Sequence, residues 1–340
     1  MILKPLKQRS FFPGLSLRAA KRQAVLFGCF VLAGSSALAT PGGYSECRGE
    51  IVSAETGQSQ SFEELAHSLQ IADVVLFGEV HGVAQHARAS ACVMTALTDG
   101  ERPAGLVMEM FSTGDQPAID LYRKNNPEHA AGLAGALEWW KRGWPAFESW
   151  LPLVDRAFGL RVDLVGGDIG ASALEAGTRL SFERRLGSDL AAIRKAWTAA
   201  MERAHCGLIN RKEAARLGER QIERDLSMAD QAIATQRRLS NRTRKSAAVL
   251  VHAGRGHVRK DRSLYRALIR QTENGEPSGL EVVSIGALTE TEAPGTQDSG
   301  AHDYFWITGD AGPGGKACDV FGQAGIRETD TDGQQGEGRP

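Results

Sequence analysis

The sequence predicts an α/β fold, with a mainly parallel sheet flanked by helices and an inserted helical portion at about residues 115–240. One observation behind this prediction is a series of short apolar runs rich in β-branched residues, which is typical of strands buried on both faces. A second is that apolar residues recur at helical spacing between these runs, so that strands and helices alternate. Where a strand, a crossover helix and another strand follow one another, the two strands are expected to run parallel.

The elements are predicted in chain order from these patterns. The first strand is the run at 74–77, and the helical pattern VAQHARASACVMTAL follows it at 83–97. Residues 115–160 contain further helical patterns, and residues 212–238 carry an apolar stripe of the kind found on one face of a long helix. The remaining predicted strands cover 104–110, 161–169, 246–254, 280–288 and 302–308.

Residues 1–39 are predicted to be a secretory signal peptide and not part of the fold. This segment has six basic residues and no acidic residue, and its apolar run from Ala24 ends in a small-residue pattern at Ala39. Retention as a membrane anchor is disfavoured, because a spanning helix needs roughly 20 apolar residues and the run is shorter. A lipid anchor at Cys29 is not expected, since the bulky Phe27 fits poorly before a modified cysteine. We therefore expect cleavage near Ala39 and a periplasmic or secreted chain.

The charge balance excludes one class of partner. The sequence holds 40 basic and 41 acidic residues, a formal net charge of −1. Without residues 1–39 it holds 34 basic and 41 acidic residues, a net charge of −7. A nucleic-acid-binding protein normally carries a basic excess, so no nucleic-acid partner is expected. We predict a single domain over 40–320 and a disordered tail at 321–340, where core-forming residues are scarce.

The cysteines beyond the predicted signal peptide are Cys47, Cys92, Cys206 and Cys318. An even number in an exported chain permits disulfides, with three connectivities if all four pair. Cys92 lies within a predicted apolar helix, so it is alternatively a buried thiol. The residues alone leave both arrangements open.

Charged or imidazole side chains follow the predicted strands at the points where the strands end. They are Glu79, His81, Glu109, Asp168 and His257. Because parallel strands place their carboxyl ends on one rim of the sheet, these residues are expected to converge there. Each is alternatively a helix cap or a structural residue. Two carboxylates and two imidazoles at one rim suit a transition-metal site or an acid/base pair.

An aromatic block lies between Trp139 and Trp150 and contains Lys141. The simpler interpretation is that its rings pack in the core. The functional interpretation is a flat apolar wall for a planar ligand, with Lys141 binding an anionic group, since pockets are commonly apolar with a few convergent polar groups.

Several segments together resemble the ChaN-like haem-binding uptake family, within the Tiki/TraB and erythromycin-esterase-like superfamily. The resemblance covers about residues 65–320 and rests on the order and spacing of the segments. These are LFGEVH (76–81), LVMEM (106–110), WWKRGWPAF (139–147), ERDLSMA (223–229), AGRGHVRKD (253–261) and DYFWIT…C (303–318).

The resemblance implies an exported haem-binding protein of haem or iron acquisition, with haem in a pocket shared by a homodimer. In such proteins a tyrosine coordinates the iron, and Tyr265 lies near the matching place, after the Gly256-His257 turn. The implied haem pocket comprises Glu79, His81, Glu109, Lys141, His257 and Tyr265. Within it, His81 or His257 and Lys141 are the implied partners of the propionates.

The resemblance also implies a disulfide between Cys206 and Cys318 and a haem transport system as a possible partner. Its enzymatic branches keep a second function open. A metal-dependent hydrolase or esterase would use Glu79, His81, Glu109 and His257, with a divalent transition metal held by Glu79, His81 and His257. Whether the protein is an enzyme is therefore left open by the sequence.

Overall fold

The computed structural model describes residues 44–169, 178–270, 278–292, 294, 298 and 300–309, without the side chains of 178–181. All of them belong to one unit that begins at Tyr44. The predicted signal peptide, the predicted tail and Cys318 lie outside the described residues, so the predictions made for them stay predictions.

The apolar runs of the sequence form the centre of a sheet whose strands are mostly parallel, which confirms the predicted fold class. Its strand order is β2-β1-β8-β7-β3-β6-β4-β5. The strands are β1 (Glu50–Ser53), β2 (Ser59–Gln60), β3 (Val74–Glu79), β4 (Ala104–Ser112), β5 (Asp163–Asp168), β6 (Ala248–Gly254), β7 (Val282–Thr289) and β8 (Tyr304–Thr308). The strands from β3 to β8 pair in parallel, whereas β1 pairs antiparallel with both β2 and β8.

Helices fill the connections between successive parallel strands from β3 to β7, as the alternating pattern predicts. They are α1 (Phe62–Ser68), α2 (Ala84–Leu97), α3 (Gln116–Asn125), α4 (Leu133–Ala136), α5 (Leu151–Gly159), α6 (Thr178–Leu186), α7 (Leu190–Ala204), α8 (Arg211–Thr243) and α9 (Ser263–Ile269). The longest, α8, begins at a capping box in which the Asn210 side chain accepts from the Glu213 amide. It ends where Arg244 adopts a left-handed conformation, with φ of 59°.

The two faces of the sheet bury separate sets of side chains, because successive residues of a strand point to opposite sides. In β3, Val75 and Phe77 pack with residues of α1, α2 and α5. Val74 and Leu76 pack with residues of α7, α8 and α9. Both faces of the central strands are therefore covered, which is why those strands are almost wholly apolar.

The sequence left open whether Cys92 is a buried thiol or part of a disulfide, and the structure shows the disulfide. Cys47 forms a disulfide with Cys92 of α2, so Cys92 is not a free buried thiol. Cys206 is also disulfide-bonded. Its predicted partner, Cys318, is outside the described residues, and that pairing stays a prediction.

Within the described ranges, no helix combines the length and the apolar character that crossing a membrane requires.

Candidate functional site

The carboxyl ends of β3, β4 and β6 open into a cleft of about 830 Å³, called here the main cleft. Its lining includes Glu79, His81, Glu109, Trp197, His257 and Arg262. A second cavity of about 690 Å³, the side cleft, is lined by residues that include Lys141 and Asp168. Trp144 and Arg224 line both cavities, so the two adjoin.

A glycine in β3 lets the turn after β6 close over the end of the strand. A Cβ atom at Gly78 would lie 2.4 Å from a methyl carbon of Val258 and 2.8 Å from the Cα of Arg255. Real Cβ atoms do not come that close to other heavy atoms, so this packing requires glycine. The turn that carries His257 is thereby held beside the segment that carries Glu79 and His81.

Glu79 is a buried carboxylate at the end of β3 that three side chains surround. The indole nitrogen of Trp150 donates to its Oε1 over 2.7 Å, and Nδ1 of His81 lies 2.8 Å from the same oxygen. Nε2 of His252 lies 3.0 Å from Oε2, and Nδ1 of His252 contacts the Ser90 hydroxyl. Burial alone would raise the pKa of Glu79, but His252 and His81 outweigh it and hold the pKa below its usual range. Glu79 is therefore a fixed negative charge that orients His81.

His81 stands at the wall of the main cleft. Its side chain is 32% exposed, and its ring meets the Trp144 ring edge-on at a centroid distance of 5.0 Å. Burial would lower the pKa of the imidazole, but Glu79 and Glu109 raise it above its ordinary value.

Glu109 of β4 is the second buried carboxylate of the site. The Gly254 amide donates to its Oε2 over 2.6 Å, and Arg224 of α8 lies 2.7 Å from Oε1. Nε2 of His257 is 3.3 Å from the same Oε1. Burial raises the pKa of a carboxyl group, but here His257 and Arg224 together hold it well below its usual range. Arg224 also contacts Asp168, at 3.1 Å, so the predicted Asp168 joins this charge cluster.

His257 lies between two carboxylates. Its Nδ1 is 2.6 Å from Asp225 of α8, on the side away from Glu109. Ser263 donates to the same Asp225 carboxylate, and the Trp197 indole nitrogen donates to it over 3.3 Å. Burial would lower the pKa of His257, but Glu109 and Asp225 raise it to about 9. The imidazole is therefore a buried cation at neutral pH.

The structure brings together most of the predicted site residues. Glu79, His81, Glu109 and His257 all line the main cleft. Lys141 lines the side cleft, with an exposed side chain 2.5 Å from Glu138. Tyr265 is not among the residues lining either cavity, and its ring lies 5.7 Å from the Lys260 ammonium.

The sequence analysis missed the partners that orient these side chains. Arg224 and Asp225 come from α8, and Trp197 comes from α7. One signal was available: Asp225 follows Ile222 by three positions and precedes Ala229 by four, which places a charge on the buried face of the predicted helix.

The proposed metal set of Glu79, His81 and His257 does not form. Throughout the described part of the chain, no group of three or more His, Cys, Asp or Glu side chains is arranged to hold a metal ion. Nδ1 of His81 lies beside Glu79. The two ring nitrogens of His257 lie beside Glu109 and Asp225. The geometry therefore does not favour the metal-dependent hydrolase.

A mainly parallel α/β sheet with an open cleft at its strand ends, lined by aromatic and charged side chains, is the architecture of a ligand-binding α/β protein. The chain belongs to the haem-binding uptake family of the Tiki superfamily, ChaN, whose family model matches residues 65–268. This confirms the family that the motifs predict.

Among solved structures, the chain is similar to ChaN of Campylobacter jejuni, a structure described as cofacial haem binding. The identity is 21%, the TM-score is 0.56, and the match covers 76% of this chain and 96% of that one. A weaker likeness is to the type III effector HopBA1, at 12% identity and a TM-score of 0.35, over 78% of this chain and 99% of that one. Another weak likeness is to a mutant of the erythromycin esterase EreC, at 12% identity and a TM-score of 0.34. That match covers 76% of this chain and 82% of the EreC chain. No curated protein sequence matches the chain.

Proposed function

We propose that the protein binds haem in the main cleft. The observation that carries this proposal is the coincidence of the haem-binding family match with a cleft of suitable chemistry at the strand ends. A volume of about 830 Å³ lies within the range of cofactor sites. Haem needs flat apolar walls, cations for its propionates and a donor atom for its iron, and each requirement has a counterpart here.

The apolar walls come from two tryptophans. Trp144 lines both cavities and packs edge-on against Trp150, with ring centroids 6.2 Å apart. Trp197 lines the main cleft from α7 and packs against His257 at 5.0 Å. Indole faces stack on planar conjugated ligands, and their rigid rings lose little entropy on binding. Trp144, which is part-exposed, would contact the face of the macrocycle, whereas Trp197 is only 3% exposed and would add apolar surface at the cleft wall.

The propionates would be bound by guanidinium groups and by Lys141. Arg255, Arg259 and Arg262 line the main cleft, and Lys141 lines the side cleft. Arg262 lies over the Trp197 ring at 5.2 Å, and its guanidinium is 2.8 Å from Asp261. Arg255 and Arg259 are paired with Glu292 and Asp298, so a propionate would compete with these carboxylates for the guanidinium groups. Guanidinium groups bind carboxylates bidentately, which suits a ligand with two carboxylates. Because the chain outside residues 1–39 is acidic, anion binding has to be local to such a pocket.

A haemin titration followed by absorbance tests the proposal. We expect saturable binding with a shifted Soret band, and at least tenfold weaker binding in Trp144→Ala, because the shared wall of both cavities is lost. Trp140→Ala is the matched control, since the Trp140 side chain is exposed and lines neither cavity. An unshifted Soret band in the wild-type protein would refute haem binding.

We also propose export, dimerisation and a role in haem or iron acquisition. The charge and apolar pattern of residues 1–39 supports export, and a disulfide between Cys47 and Cys92 is typical of an oxidising compartment. The mass of the protein from a periplasmic fraction is expected to correspond to cleavage near Ala39; a retained leader would contradict this. Light scattering with and without haemin tests the homodimer, and haem transfer to a transport system is the corresponding test of acquisition.

A further inference from the structure

We propose that Asp298 is a built-in competitor for the carboxylates of the ligand, because its own carboxylate binds the Arg259 guanidinium at the wall of the main cleft. The inference rests on the haem binding proposed above and adds the control of affinity at that site. A propionate would bind Arg259 by replacing one carboxylate with another. The affinity for haem is then set partly by a side chain of the protein itself.

The guanidinium group of Arg259 is held in a fixed orientation. Its Nε donates to Oδ1 of Asp261 over 2.9 Å, and its Nη2 donates to Oδ2 over 3.1 Å. A two-point contact of this kind fixes the plane of the guanidinium group. On another side of the group, Nη1 donates to Oδ1 of Asp298 over 2.6 Å. Arg259 therefore directs one donor towards the position that the Asp298 carboxylate takes.

Asp298 reaches the main cleft from the connection between β7 and β8. Asp298 and Arg259 both line this cleft, so the contact between them is part of its wall. Their side chains are 19% and 15% exposed, and salt screens a pair so placed less than it screens a pair on the open surface. The contact is thus accessible from the cleft and partly shielded from solvent.

The charges around Arg259 balance because Asp298 contributes the second carboxylate. Arg262 also lines the main cleft and lies 2.8 Å from Asp261, so two guanidinium groups share that one carboxylate. Together with Asp298, the group has two positive and two negative charges. A ligand carboxylate that replaces Asp298 at Arg259 preserves this balance, whereas an uncharged group does not. The exchange therefore favours an anionic ligand over a neutral ligand of the same shape.

An exchange of carboxylates also limits how tightly the ligand binds. A guanidinium group that is already paired gains only the difference between two similar contacts when the ligand takes over. Its fixed orientation keeps the ordering cost of binding small. We therefore expect binding that is selective for carboxylates and readily reversed, which suits the role in haem acquisition proposed above.

Haemin titrations of the wild-type protein and of Asp298→Asn test the inference. The variant keeps the size of the side chain and removes its charge, so we expect haemin to bind about fivefold more tightly, as for the loss of one competing ion pair. Haemin dimethyl ester, whose propionates carry no charge, is expected to bind equally well to both proteins.

Asp303→Asn is the matched control for the change in charge. Asp303 belongs to the same connection before β8, and its carboxylate lies 2.6 Å from the ammonium group of Lys260. Neither Asp303 nor Lys260 is among the described residues that line the two clefts. We expect this variant to bind haemin as tightly as the wild-type protein does.

A measurement on the wild-type protein covers the case in which Asp298→Asn does not fold. Gallium protoporphyrin is a diamagnetic analogue of haemin with the same two propionates, and its binding is expected to shift the assigned carboxyl ¹³C resonance of Asp298. An Asp298 resonance that stays in place would overturn the inference. So would unchanged or weaker haemin binding in Asp298→Asn, or equal tightening for haemin and its dimethyl ester, or the same tightening in Asp303→Asn. Failure of the wild-type protein to bind haemin would instead refute the proposed function.

Discussion

At the scale of single residues, the site depends on charges that are buried in pairs. Glu79 and Glu109 are each almost fully buried, and each stays ionised because cationic or donor groups outweigh the cost of burial. Removing the partner of a buried charge strongly destabilises the folded protein. The network therefore fixes the orientation of the cleft residues, and its members are sensitive positions for substitution.

The raised pKa of His257 predicts a stability change on the alkaline side of neutrality. Its folded-state pKa of about 9 exceeds the ordinary 6.5, so its stabilising protonation is complete below pH 6.5 and is lost as the pH rises through 9. The difference corresponds to about 3 kcal/mol of unfolding free energy. His257→Asn is expected to cost about 3–5 kcal/mol at pH 6 and to flatten the pH dependence. Urea unfolding at several pH values measures both effects, and a variant that keeps the wild-type slope would contradict the assignment.

A second prediction concerns the donor from Trp150 to Glu79. Trp150→Phe keeps an aromatic ring but leaves a buried carboxylate oxygen without the 2.7 Å indole bond. We expect a loss of about 1.5–3 kcal/mol, which is typical of hydrogen bonds to charged groups. Trp139→Phe is the matched control, because its indole donates to the neutral backbone oxygen of Pro145. Equal losses of unfolding free energy in the two variants would show that the charge of Glu79 is unimportant.

At the scale of elements, β5 is an edge strand whose free side is covered by one side chain. The amide of Gln116, at the start of α3, donates to the Leu164 oxygen and accepts from the Gly166 amide, both over 3.0 Å. It thus makes the two hydrogen bonds that a neighbouring strand would make. Exposed edges of this kind are sites of aggregation unless they are covered.

Removing this cover has a specific expected result. Gln116→Ala should lower the free energy of unfolding by about 1–3 kcal/mol, because part-buried backbone groups lose their partners, and should speed aggregation at high protein concentration. Asp120→Ala is a suitable control, since Asp120 accepts from the same Gln116 amide without taking part in the edge. Light scattering and urea unfolding measure the two effects. Similar aggregation rates in both variants would show that the Gln116 side chain does not protect the edge of β5.

The elements also show where sequence patterns succeed. The strands from β3 to β8 lie close to their predicted positions, since a long apolar run has few alternatives to a buried strand. The pair β1 and β2 was missed because these strands are short and only one of their residues is buried, so they carry no long apolar run. The rim residues were predictable from strand ends, but the partners on α7 and α8 were not, because those contacts join segments far apart in the sequence.

At the scale of the whole molecule, the Cys47–Cys92 disulfide links the N-terminal end of the described fold to α2 across 45 residues. The loop-entropy relation gives about 4 kcal/mol for a loop of this length. Cys47→Ala/Cys92→Ala is expected to lose an amount of this order in urea unfolding under oxidising conditions. A midpoint equal to that of the wild-type protein would show that the unfolded chain gains little freedom when the link is removed.

The tryptophans of the cleft give the protein an optical signal of its own. Trp144 and Trp197 line the main cleft, Trp150 packs against Trp144, and Trp139 packs against Trp150. Energy transfer from an excited indole to a strongly absorbing ligand falls steeply with distance, so a pigment bound between these rings would quench most of their emission. An uncoloured ligand in the same place would mainly shift the emission wavelength. Intrinsic fluorescence can therefore distinguish pigment from non-pigment occupants before any of them is identified.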